Sequence, residues 1–182
     1  MTLKPWNLIS SRKDHSFRIF DLRTDRAMSP RTNQAHDFYI LESSDWVNVI
    51  PMTADERVVL IRQYRHGIQE ITLEIPGGIV ENRDTPEQAA RRELMEETGY
   101  RESDMVSLGV VHPNPAFLNN RCHTFLARDV VRMGDQLQDE KEDIEVLLKP
   151  IDDIPGLIRE GLITHSLVLA AFYRYYMEYP KE

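Results

Sequence analysis

The order of predicted elements assigns this chain to the α+β class, as a mixed sheet flanked by helices. Three observations carry the assignment. Strand-like runs recur between residues 16 and 75, a single helix with legible ends follows, and after further strand-like runs the chain closes on two helices. With 182 residues, 41% of them hydrophobic and 29% charged, the chain is long enough for one domain with a proper core and a small N-terminal extension.

In order, Ser16-Phe17-Arg18-Ile19-Phe20-Asp21-Leu22-Arg23 alternates with period two and reads as a strand. Residues 24–35, with Ser29-Pro30, read as a turn or loop. His36 to Leu41 and Trp46 to Met52 are strand-like, with Glu42-Ser43-Ser44-Asp45 between them at hairpin length. Thr53-Ala54-Asp55-Glu56 is a turn before Arg57 to Tyr64, whose Val58-Val59-Leu60-Ile61 centre has the continuous apolar character of a buried strand. Ile71 to Ile75 is a further run, closed by Gly77-Gly78, which open a short loop.

The next stretch organises the rest. Thr85, Pro86 and Gln88 supply a capping oxygen, a first-turn proline and a side chain that reaches back, so a helix starts near residue 86. Gly99 is its left-handed stop. At 3.6 residues per turn Glu93 and Glu97 lie one above the other with Glu96 beside them, while Ala90 and Leu94 form a stripe that can face a core. Three like charges on one face repel, so the pattern demands a cation there. An Arg92–Glu96 pair on a solvated face is the plain alternative.

Downstream, Val106 to His112 and Arg121 to Ala127 read as strands, Met133 to Lys141 as polar and flexible, and Ile144 to Leu148 as a last short strand. Asp152 or Asp153 caps a helix with Pro155 in its first turn and Gly161 at its end. A final helix begins near Thr164 to Ser166 and spaces Leu167, Val168, Ala171, Phe172, Tyr175 and Tyr176 as a packing stripe.

Gly78, Arg92, Glu93, Leu94, Glu96, Glu97 and Gly99 fall on the pattern Gly-x5-Glu-x7-Arg-Glu-apolar-x-Glu-Glu-x-Gly-apolar, and the segment resembles the Nudix box. At ordinary residue usage, six fixed positions coincide about once in 10⁷ placements. Asp84 stands where that family has Glu, and Tyr100 where an aliphatic residue is usual. The resemblance covers roughly residues 45 to 165. It implies an α/β/α sandwich with a mixed sheet, residues 45–182 forming the hydrolase domain and residues 1–44 a preceding extension of antiparallel strands that serves dimerisation.

Gln63-Tyr64-Arg65, Leu73-Glu74-Ile75-Pro76-Gly77-Gly78 and Pro115, fifteen residues after Tyr100, resemble the branch that cleaves ADP-ribose and other nucleoside diphosphate sugars. Phe117 and Leu118 occupy the places of the tyrosine that marks dinucleoside polyphosphate hydrolases. By this resemblance Glu93 and Glu97 are the principal ligands of Mg²⁺ or Mn²⁺, with Glu96 close by and the Gly77 carbonyl helping. Within Asp139-Glu140-Lys141-Glu142, Glu140 is the candidate base and Glu142 an additional ligand, although an acidic loop run is ordinarily just solvated. The rivals are a hydrolase of nucleoside triphosphates or dinucleoside polyphosphates, and a module that senses ADP-ribose without cleaving it, which the intact Glu93, Glu96 and Glu97 argue against.

The residue chemistry suits that task. A diphosphate repels hydroxide, and a hard divalent cation held by carboxylates neutralises it. Arg65 is a forked donor for a phosphate oxygen, with a surface salt bridge as its other reading. Trp46 can stack on a nucleobase at a dimer interface, though a strand tryptophan is more often core. His112 and His123 read as structural and Cys122 as buried packing.

A net charge of −8 excludes a basic nucleic-acid surface. No apolar run reaches the length of a membrane span, and one cysteine rules out an internal disulfide framework, so a cytoplasmic location is the expectation, while the resemblance implies a homodimer acting on a small nucleotide sugar.

Overall fold

The computed structural model describes residues 2–138 and 143–180. They fall into two compact units, Met1–Ser44 with His112–Arg121, and Asp45–Val111 with Cys122–Glu182.

The first unit carries an antiparallel sheet of β1 (Asn7–Ser16), β2 (Asp21–Met28) and β3 (Ala35–Glu42) in that order. The strand expected over Ser16–Arg23 is instead the tip of the β1–β2 hairpin, closed where Phe17 N–H donates to Phe20 O at 2.9 Å. The Phe17 and Phe20 rings pack at 4.9 Å, and Phe17 and Ile19 are exposed, so their alternation marks a turn and not a buried strand face. β1 itself is exposed almost throughout and has no apolar face for a sequence pattern to reveal. The predicted loop over 24–35 shrinks to the turn after Met28, held by Ser29 N–H donating to Gln34 O at 2.9 Å. Residues 42–45 join strands of different sheets, so they are not a hairpin turn.

The second unit begins with β4 (Trp46–Pro51), β5 (Arg57–Arg65), β6 (Glu70–Glu74) and β7 (Gly77–Ile79), followed by α1 (Pro86–Thr98). It continues through β8 (Tyr100–Arg101), β9 (Asp104–Val111), β10 (Cys122–Arg128), β11 (Val131–Arg132) and β12 (Glu145–Pro150), and closes with α2 (Ile154–Arg159) and α3 (Ser166–Glu178). β7-β4-β10-β9 form a mixed sheet in which only β4 and β10 run parallel, and β12-β5-β6 form an antiparallel one.

Period-two alternation sends successive strand residues to opposite layers. Val47, Val49, Val59, Phe125 and Ala127 pack on Ala89, Ala90 and Leu94 of α1. Ile50, Val58, Leu60 and Leu126 pack on Ile154, Val168, Ala171 and Phe172 of α2 and α3. The result is a sandwich of helix, sheet and helix, with each fully buried side chain of this size contributing about 1.5–3 kcal/mol.

Helix α1 has the ends its sequence predicts. Thr85 Oγ1 accepts from Gln88 N at 3.2 Å, Gln88 Oε1 accepts from Thr85 N at 2.8 Å, and Gly99 closes it at φ 72°. The Gly77-Gly78 pair differs from expectation, because it forms β7 and pairs with β4 in the register Asn48↔Gly77 and Val47↔Gly78. A Cβ on Gly77 would lie 2.3 Å from Val47 O, so only glycine allows this approach. Asp153 does not cap α2, since a 3₁₀ turn over Ile151–Asp153 already places it in helical conformation. No helix among the described residues is long and apolar enough to cross a membrane.

Candidate active site

Helix α1 presents its carboxylates to β7. Glu97, only 5% exposed, accepts from Gly77 N–H through Oε2 at 2.8 Å. Glu93, one turn earlier, stands against Gly78, where an added Cβ would lie 2.4 Å from the carboxylate carbon. The cation demanded by three like charges is supplied in part by Arg92. Its Nη1 donates to Glu93 Oε1 at 2.9 Å and Glu96 Oε2 at 3.1 Å, its Nε to Asp84 Oδ2 at 3.2 Å, and its Nη2 to Ile79 O at 3.1 Å. Burial opposes the Arg92 charge, but Glu93 and the bonds to Asp84 and Glu96 outweigh it and hold its pKa above the ordinary value. The Arg92–Glu96 pair is therefore real, yet it belongs to a network that includes the loop before the helix.

Gly77 and Gly78 also border a cavity of about 610 Å³ whose wall includes Trp46, Arg65, Glu74 and His165. The carboxylates of α1 are not part of its wall, but Gly77, whose N–H bonds Glu97, and Gly78, which Glu93 abuts, are. Arg65 takes the salt-bridge arrangement, but with a buried partner. Its Nε and Nη2 donate to Glu74 Oε1 and Oε2 at 2.8 and 2.7 Å, and Thr72 Oγ1 donates to Glu74 Oε1 at 2.6 Å. The bidentate bond to Glu74 raises the Arg65 pKa, burial opposes it, and Glu97 adds to the rise, so Arg65 senses both the cavity and the acidic helix. Burial pushes the Glu74 pKa up, but the Arg65 bonds and Thr72 prevail and hold it below the usual carboxylate range. Among the described residues Arg65 Nη1 makes no hydrogen bond, which leaves that edge of the fork for a ligand.

Trp46 opens β4 at the cavity wall, opposite Ile79 and Cys122 in the sheet. Cys122 is buried, which pushes its thiol up to about 12, and it packs as expected. His123 Nε2 lies 2.9 Å from Asp45 Oδ2. Glu140 and Glu142 lie outside the described residues. Two wall residues had no role in the sequence reading. Glu74 sits inside the quoted Leu73–Gly78 run, but its pairing needs the β5–β6 hairpin to bring Arg65, Thr72 and Glu74 to one face. His165 caps α3 by accepting from Leu167 N through Nδ1 at 3.2 Å, and its place just before the apolar stripe was the available signal.

The residues fit a divalent cation. Glu93, Glu96 and Glu97 are hard oxygen donors on one helix face, and the missing side chain at Gly78 lets the Glu93 carboxylate pack against β7. Among the described residues no ready-made group of three or more His, Cys, Asp or Glu is gathered for a metal.

A family model described as NUDIX domain matches residues 45–171. The chain is 27% identical over 151 residues to an ADP-ribose pyrophosphatase of Bacillus subtilis, covering 82% of this chain and 81% of the relative. It is 28% identical over 164 residues to a methanol dehydrogenase activator of Bacillus methanolicus, covering 90% and 88%. A solved structure described as an ADP compounds hydrolase superposes with a TM-score of 0.85 over 100% of both chains at 17% identity, a likeness of fold.

Proposed function

The chain belongs to the Nudix family and is a hydrolase of pyrophosphate bonds, and from that premise we propose that its substrate is a nucleoside diphosphate sugar, ADP-ribose or a GDP-hexose such as GDP-mannose, split into a nucleoside monophosphate and a sugar phosphate. The observation that carries the reading is the arrangement around β7. Glu93 and Glu97 abut two glycines, and the same glycines line a cavity that holds a half-engaged Arg65.

In this reading Arg65 binds a phosphate oxygen through Nη1 while Glu74 fixes the plane of its guanidinium. Trp46 offers its ring to the nucleobase. Glu93 and Glu97, with Glu96 close by and the Gly77 carbonyl and Glu142 assisting, hold Mg²⁺ or Mn²⁺. When bound, such a cation neutralises the diphosphate and lowers the pKa of water. Glu140 takes the proton from the attacking water. The low exposure of Glu97 and its bond from Gly77 N–H fix that carboxylate before any ligand arrives, as positioning at a reaction centre requires.

The proposal extends to a cytoplasmic homodimer in which residues 1–44 serve as the dimerising extension. Its support is the set of exposed apolar side chains on the N-terminal sheet and its edges, Trp6, Leu8, Ile9, Phe17, Phe38 and Tyr39, which water does not favour on an isolated chain. Light scattering on the eluting peak from a sizing column tests it, and a monomer at micromolar concentration would end it.

The substrate proposal is tested by phosphate release with a coupled phosphatase over a panel of nucleotide sugars, nucleoside triphosphates and dinucleoside polyphosphates, with and without Mg²⁺. Preferential, Mg²⁺-dependent cleavage of ADP-ribose or a GDP-hexose is expected. Preference for triphosphates or dinucleoside polyphosphates would overturn it.

A further inference from the structure

The cavity wall that carries Arg65 also carries a carboxylate and an imidazole. Both oxygens of Glu74, its one carboxylate, are already occupied, Oε1 by Arg65 Nε and Thr72 Oγ1 and Oε2 by Arg65 Nη2. His165 stands in the same wall. Its Nδ1 accepts the Leu167 N–H at 3.2 Å, so in the neutral ring the proton must sit on Nε2. Among the described residues the ring makes no other hydrogen bond. Burial lowers the His165 pKa, in keeping with the neutral tautomer that the cap requires. One ring nitrogen is thus spent on locking the side chain, and the other is left as a donor in the same cavity wall as the unengaged edge of Arg65.

We infer that His165 is a substrate-binding residue, whose Nε2–H donates to an oxyanion of the diphosphate that Arg65 binds. The inference rests on the reading of Arg65 as the phosphate-binding arginine, and it assigns the helix α3 N-terminus a second task. The cap fixes the ring, and the ring positions a neutral donor that adds no positive charge to a wall already carrying a guanidinium. The ligand class follows from the two free donors, since the unengaged Nη1 of Arg65 and the Nε2–H of His165 in one wall suit a phosphate oxygen.

Two substitutions separate the tasks. Asparagine places an oxygen close to where Nδ1 lies, so His165→Asn keeps the cap and removes the distant donor. Glutamine reaches to the Nε2 position, so His165→Gln keeps a donor and loses the cap. Calorimetric titration of the full chain with ADP and with inorganic pyrophosphate, together with thermal melting, reads both. The expected result is about tenfold weaker binding of both ligands by His165→Asn at an unchanged Tm. For His165→Gln, the melting temperature is expected to fall while both ligands bind more tightly than to the asparagine variant. Wild-type affinity for both ligands in His165→Asn would overturn the inference, as would a loss confined to ADP, which would move the donor to the nucleoside. These titrations do not depend on turnover, so they are decided separately from the nucleotide-sugar panel.

Discussion

Two neighbouring glycines, given the same substitution, are expected to fail in different ways. A Cβ on Gly77 would lie 2.3 Å from Val47 O and 2.9 Å from Asn48 Cα, both backbone atoms, so β7 must move roughly 1 Å from β4 to restore ordinary contact. That shift breaks pairing with β4 and the 2.8 Å bond from Gly77 N–H to Glu97. Two strand bonds at about 1 kcal/mol each and one bond to a charged group at about 2 give a loss of about 4 kcal/mol for Gly77→Ala. For a domain of this size that is a fall of roughly 8–16 °C in Tm. A Cβ on Gly78 meets only the end of a flexible side chain, the Glu93 carboxylate at 2.4 Å. Moving that carboxylate to another rotamer costs about 1 kcal/mol. The same movement displaces a catalytic-site group by about 1 Å, for which a loss on the order of 10²-fold in kcat is expected. Thermal melting and steady-state turnover of ADP-ribose on both variants decide the matter. A Gly77→Ala protein that melts with wild type, or a Gly78→Ala protein that turns over normally, would refute the reasoning.

Three further outcomes are expected. Thr85→Ala breaks the capping box and should cost about 1 kcal/mol in thermal melting while leaving kcat unchanged, because the cap is exposed and lies about two turns before Glu93. His165 has its folded pKa lowered by burial and by Arg65, with Glu74 opposing, so the unfolded chain binds more protons near its free value of 6.5. Its contribution is therefore full above that pH and is lost as pH falls through the folded value, and His165→Asn should flatten the dependence of Tm on pH in that window. Glu140→Gln should bind substrate and turn it over far more slowly in single-turnover measurements, and a normal rate would remove Glu140 from the mechanism.

The legible parts of the chain were those whose signals are local. Thr85, Pro86, Gln88 and Gly99 fixed both ends of α1 because capping is decided within four residues. The continuous apolar run Val58-Val59-Leu60-Ile61 revealed the central strand because both of its faces are buried. What escaped depends on distant partners or on none. β1 is exposed along nearly its whole length, and the Phe17–Phe20 turn imitates a strand because aromatic residues cluster at its tip. The β8 and β11 strands are two residues each, too short for a period. In the site, the acidic face followed from helical spacing alone. The Arg65–Glu74 pair needed a hairpin register, and His165 needed the knowledge that its cap turns the ring toward a cavity. Gly77-Gly78 read as a loop because a three-residue strand of two glycines and an isoleucine has no side-chain pattern to show.

Manganese binding followed by electron paramagnetic resonance bears most directly on the acidic face of α1. Wild-type protein is expected to bind Mn²⁺, with Glu93→Gln and Glu97→Gln each weakening it at least about tenfold while the melting temperature stays within a few degrees. Equal Mn²⁺ affinity in the wild type and both variants would contradict the account.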